Sequence, residues 1–135
     1  MGKKELTAMY RSKGANCAQA VLCTYAEELN ITEDAAWKIS SGLGGGVGGR
    51  QGLCGAVNAM AMVVGGLSGV QISEGAEGKK VPYALAKEAC ERFIEQNGSE
   101  ICKVLKNDGN QPRSCADLIF DCIDIIEAMR EEGKI

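Results

Sequence analysis

The segment Leu53–Leu67, LCGAVNAMAMVVGGL, constrains the fold more than any other. It holds one polar residue, Asn58, and its side chains are mostly small. A helix that is apolar on all sides has no face to give to water and must be wrapped by other elements. Small side chains also let neighbouring backbones come close. Carried on to Ile72, the run nears membrane-spanning length, but Asn58, Ser68, Gln71 and several glycines interrupt it. It reads as a buried central helix, with no membrane insertion.

The rest of the chain follows helical periods, and no alternating apolar–polar run suggests a strand. Helices are expected over Glu5–Ser12, Asn16–Leu29, Thr32–Ser41, Lys80–Gln96, Ser99–Lys106 and Ser114–Glu132, besides Leu53–Leu67. Gly42–Gly52 reads as a glycine loop, Ser68–Gly78 as a turn-rich connection and Asn107–Arg113 as a loop. The expected fold is all-α, a compact bundle of about five to six helices around the small-residue helix. A chain of 135 residues buries one core well and two poorly, and no linker divides it, so residues 1–135 read as one domain. The N-terminal MGKKELTAMYRSKG is basic without a following signal-peptide apolar region, which points to the cytoplasm.

Composition narrows the chemistry. There is no histidine, which excludes His-based acid–base work, Ser-His and Cys-His catalysis, and His-ligated zinc or haem. A net charge of -3 argues against nucleic acid as the partner, because phosphate binding needs a basic footprint. Seven cysteines remain. An odd number in a chain expected in a reducing compartment does not suggest a disulfide framework.

The cysteines divide by position. Asn16 can cap a helix, with Gln19 three residues on, and Cys17 is then the first helical residue. Cys54 falls in the first turn of the small-residue helix. Ser99 can cap the helix that holds Cys102, and Ser114 the one that begins at Cys115. Four cysteines thus lie at helix starts, where unpaired N–H groups and the helix dipole favour negative charge and should lower a thiol pKa. Four thiolates without histidine suit an iron–sulfur cluster or an all-cysteine zinc site. Spacing alone leaves open that they are core residues. Cys23, Cys90 and Cys122 fall in helix interiors and read as small core hydrophobes, Cys122 on the stripe Leu118, Cys122, Ile125, Met129.

Between Gly42 and Gly55 stand eight glycines. Such density costs conformational entropy unless the backbone must approach something or take positive φ. Gly44–Gly49 has G-x-G-x-x-G spacing, but a helix and not a strand precedes it, and Arg50-Gln51 stands where a P-loop has Lys-Ser/Thr. The preferred reading is a backbone that delivers N–H groups toward the Cys54 sulfur, with Gly55 letting helices close around the site. A plain hinge between packed helices is the alternative.

Asn16-Cys17-Ala18-Gln19-Ala20-Val21, Ser41-Gly42-Leu43-Gly44-Gly45-Gly46-Val47-Gly48, Cys54-Gly55-Ala56-Val57, and then Cys102 and Cys115, make an ordered set of motifs. Over about Lys13 to Met129 the chain resembles the C-GCAxxG-C-C family, whose members are described as redox-active. The resemblance implies a small helical protein built around four cysteines, which fall on Cys17, Cys54, Cys102 and Cys115. It also implies cluster binding and electron transfer, since a similar module in split-Soret cytochromes is associated with a 2Fe–2S centre. Two departures stand out: Ala59 replaces the glycine near the end of the central motif, and Asn58 follows Val57. Neither removes a ligand. Cys122 is the alternative to Cys115 as last ligand. No C-x-x-C-H motif is present, so a haem role does not carry over.

The expected function is a redox-active protein that binds a metal centre, an iron–sulfur cluster (2Fe–2S favoured), through these four cysteines and passes electrons to a redox partner protein. A zinc-stabilised interaction domain and a thiol–disulfide protein are the alternatives. Arg50, Lys103 and Arg113 lie close in sequence to the cysteines and could offset cluster charge or dock a partner, though such residues are more commonly solvated surface. A homodimer is compatible with a domain of this size, without a residue that argues for it.

Overall fold

The computed structural model of the chain describes residues 1–108 and 113–135. Among the described residues the fold is all-α: α1 (Lys3–Ser12), α2 (Cys17–Thr24), α3 (Glu33–Ser40), α4 (Gly55–Gly66), α5 (Lys80–Asn97) and α6 (Cys115–Glu131). A 3-10 turn covers Ser41–Leu43, a kinked 3-10 stretch covers Ile72–Lys79, and Val104–Asp108 forms a π-helical turn. The loop expected over Asn107–Arg113 lies, at 109–112, outside the described residues.

The small-residue helix is where its composition demands. Ala56, Val57, Ala59, Met60, Val63 and Val64 of α4 are fully buried, and α4 packs against α2, α5 and α6. The Ala59 methyl is part of that core. All eight residues of α2 are buried. The stripe on α6 is buried throughout, from Leu118 through Cys122 and Ile125 to Met129. On α5 the buried face is Ala89 and Phe93; Cys90 is half-buried at its edge and Ile94 is 37% exposed. No helix among the described residues is long and apolar enough to cross a membrane.

Three helix starts match their capping residues. Asn16 and Gln19 form a reciprocal capping box, the Thr32 hydroxyl accepts from the Ala35 N–H, and the Ser114 hydroxyl accepts from the Asp117 N–H. Each pairs a donor that the first helical turn would otherwise leave unmet.

The second helix ends early, at Thr24 and not at Leu29. Thr24 donates back to the Ala20 carbonyl and shares a 2.7 Å bond with Thr7 of α1. Tyr25 is fully buried, with its hydroxyl donating to Glu127 at 2.9 Å. Residues 25–30 then close as turns, and Asn30 takes a φ of 58°. Helical periodicity continues through this stretch, but tertiary partners for Thr24 and Tyr25 outweigh it.

Candidate redox centre

Cys17, Cys54, Cys102 and Cys115 line one cavity of about 190 Å³, with Gly45, Gly49, Gln51, Gly55, Lys106 and Leu118 completing its wall. The four come from four separate parts of the chain, and each is held differently.

Cys17 is the first residue of α2, fixed by the Asn16 cap: the Gln19 N–H donates to Asn16 Oδ1 at 2.8 Å, and the Asn16 N–H to Gln19 Oε1 at 3.0 Å. Asn16 also donates from its amide to the Ser41 carbonyl at 3.1 Å. One side chain therefore sets both the start of α2 and the entry to the glycine segment. Cys115 is the first residue of α6, behind the Ser114 cap.

Cys54 and Cys102 are held to each other by backbone. The Cys54 N–H donates to the Glu100 carbonyl at 2.8 Å, and the Cys102 N–H to the Gly52 carbonyl at 2.7 Å, around a bridge between Leu53 and Ile101. Cys54 is the N-cap of α4 and not a first-turn residue, and Cys102 lies just ahead of the π-helical turn.

The glycine segment explains its own composition. Gly45, Gly46, Val47, Gly48 and Gly49 all take positive φ, between 62° and 72°. That conformation costs a side-chain-bearing residue about 1–2 kcal/mol, and glycine is free of the penalty. Val47 and Gln51 adopt it nonetheless. Every N–H from Val47 to Gly52 donates to a carbonyl within residues 42–47. Those amides are therefore already bonded. The sequence predicts such amides donating toward the Cys54 sulfur, and those of residues 47–52 do not.

What glycine supplies is proximity. A methyl on Gly55 would stand 2.6 Å from the Cys17 sulfur and 2.7 Å from the Leu43 carbonyl oxygen; one on Gly46 would meet the Gly52 nitrogen at 2.5 Å and Cys102 Cβ at 2.9 Å. Gly55 closes the helices around the site as expected.

The expected lowering of thiol pKa does not hold at Cys54 or Cys102. Burial pushes the Cys54 thiol up to about 11, and the Cys17 and Cys102 sulfurs add to the rise. The Ala56 and Val57 amides pull it down without forming a capping bond to the side chain. Burial also raises Cys102, with Cys17 and Cys115 contributing and Lys106 opposing. The helix start is favourable to charge, but desolvation is the larger effect.

Lys106 is the residue that sequence reasoning missed. Its Nζ donates to Cys115 Sγ at 2.9 Å, and that bond raises its own pKa. The signal was its place four residues after Cys102, about one helical turn away. The three basic residues considered instead do not line the cavity. Arg113 is engaged with Asn97 at 2.9 Å and Asp121 at 3.0 Å, while Arg50 and Lys103 are exposed.

Cys122 lies outside the cavity wall, wholly buried, and burial raises its thiol pKa well above the ordinary value. Cys23 is buried, and burial with Glu33 nearby holds it at about 11. All seven cysteines are free thiols.

A helical chain that gathers four thiols and one lysine around a small cavity is built as a cysteine-centred protein. The family model described as "Putative redox-active protein (C_GCAxxG_C_C)" matches residues 15–129, and the chain belongs to that family. Neither a curated protein nor a solved structure matches it.

Proposed function

We propose that Cys17, Cys54, Cys102 and Cys115 hold an iron–sulfur cluster, 2Fe–2S in the simplest form, and that the protein transfers electrons to a redox partner protein in the cytoplasm. The observation that carries this reading is the meeting of four sequence-distant cysteines at one cavity. The donor set fits the group: soft thiol ligands without histidine suit iron–sulfur chemistry. Gly55 faces the Cys17 sulfur where any side chain would take up its space.

A single zinc ion needs its ligands about 2.3 Å from one point. Among the described residues no group of three or more Cys, Asp or Glu is already gathered closely enough to hold a metal ion of any kind.

The cluster, when bound, supplies a one-electron couple. The chain's own residues do the rest. Leu118 and the α4 start shield the sulfurs from water, and the Ala56 and Val57 amides face Cys54. The Leu53–Ile101 bridge keeps two ligands in fixed register.

Anaerobic purification with iron, sulfide and zinc analysis and visible spectra tests the reading. Iron with sulfide and a brown colour is the expected result. Cys→Ser changes at the four positions should abolish it, and changes at Cys23, Cys90 and Cys122 should leave it. Colourless protein with one zinc per chain replaces the cluster with a structural zinc site. Metal-free protein with a reversible change in thiol count replaces it with thiol–disulfide chemistry.

A further inference from the structure

We propose that Lys106 is the positioning residue of the four-cysteine site: it aims the Cys115 sulfur into the cavity and offsets part of the charge that four thiolates bring together. The second half of this inference rests on the cluster reading above; the first half does not.

Among the described residues that line the cavity, Lys106 is the one charged side chain. Its ammonium touches Cys115 Sγ at 2.9 Å. An ammonium has three donors, so holding one sulfur leaves two for others. Thiolates gathered at one partly buried cavity repel one another. A cation at contact distance relieves that repulsion, and the structure provides one from the short segment that also carries Cys102. Ligand and counter-charge thus arrive together.

The test compares wild type, Lys106→Met, Lys106→Arg and, as a control, Lys103→Met at an exposed lysine off the cavity. In metal-free protein at one pH, alkylation of Cys115 is followed by peptide mass spectrometry with iodoacetate and with iodoacetamide. A cation beside the sulfur favours the anionic reagent. The iodoacetate-to-iodoacetamide rate ratio at Cys115 should fall about threefold in Lys106→Met, the scale of one partly screened charge. It should hold in Lys106→Arg and in Lys103→Met. An unchanged ratio in Lys106→Met, or an equal fall in Lys103→Met, overturns the assignment.

In protein reconstituted anaerobically with ferrous iron and sulfide, Lys106→Met should shift the reduction potential to more negative values, with recovery in Lys106→Arg. An unmoved potential overturns the charge-offset half. If wild type takes up no iron and sulfide, the cluster reading falls, and the alkylation ratio still decides whether Lys106 holds Cys115.

Discussion

Two pairs of cysteines reach the same cavity by different means. Cys17 and Cys115 are each the first residue of a helix, behind a polar cap that reads from a few neighbouring residues. Cys54 and Cys102 are placed by backbone bonds between segments nearly fifty positions apart, and by a glycine run in left-handed conformation. The first pair is held by side chains and the second by backbone proximity. A cap can be lost with its helix largely intact. A close approach cannot be relaxed without moving both partners.

The largest effect should come from alkali, and Cys54 of the backbone-held pair shares it with the wholly buried Cys122. In the metal-free protein Cys54 titrates at about 11, above its ordinary thiol value. Between about pH 9 and 11 the unfolded chain has therefore released a proton that the folded protein keeps. Stability is complete below that window and is lost as pH rises through it. Cys54 alone should account for about 3 kcal/mol. Cys23, also buried and at about 11, adds its own share over the same range. Thermal unfolding across this range should show a falling Tm, and Cys54→Ala should lessen the fall while Cys23 and Cys122 keep the remainder.

Gly46→Ala comes next. It combines positive φ with a clash against the Gly52 backbone and Cys102. A loss of about 3 kcal/mol is expected in urea unfolding. Gly48→Ala, with positive φ but open space, is the internal control and should cost about 1 kcal/mol.

Gly55→Ala should cost about 2 kcal/mol, because the new methyl meets the Cys17 sulfur and the Leu43 carbonyl. It is the point where the two pairs touch. A cost below that of Gly48→Ala would mean that the site is looser than the geometry indicates.

Asn16→Ala and Ser114→Ala should be the mildest, about 1 kcal/mol each and nearly additive. Ser114→Ala should leave the alkylation rates of Cys54 and Cys102 unchanged. Asn16→Ala should change them slightly, since Asn16 also binds the Ser41 carbonyl beside the glycine segment. Equal losses of metal from cap and glycine variants would erase the distinction between the pairs.

Legibility in the sequence follows the same division. The caps at Asn16 and Ser114 were readable because capping depends on residues three apart, and both appear as expected, whereas Ser99 accepts from the Ile101 N–H and no α-helix starts behind it. The central helix was readable because its composition leaves it no solvent face. The early end of α2 was not, because Thr24 and Tyr25 find partners in α1 and α6. The direction of the Cys54 and Cys102 pKa shifts was also hidden: sequence shows the helix start, whereas burial depends on what packs over it. Lys106 went unnoticed because its partner, Cys115, stands nine residues further on, a separation that no helical spacing brings together.

The order of residues alone settled the helical class, the central element, the capped starts and the four cysteines worth watching, since each depends on local pattern or on bulk hydrophobicity. Tertiary structure alone decided that those sulfurs share a cavity, that glycine serves close approach and left-handed turning rather than amide donation, and that a lysine stands against one of the thiols. Desolvation, contact distance and long-range backbone pairing are properties of the assembled chain, and no short stretch of sequence contains them.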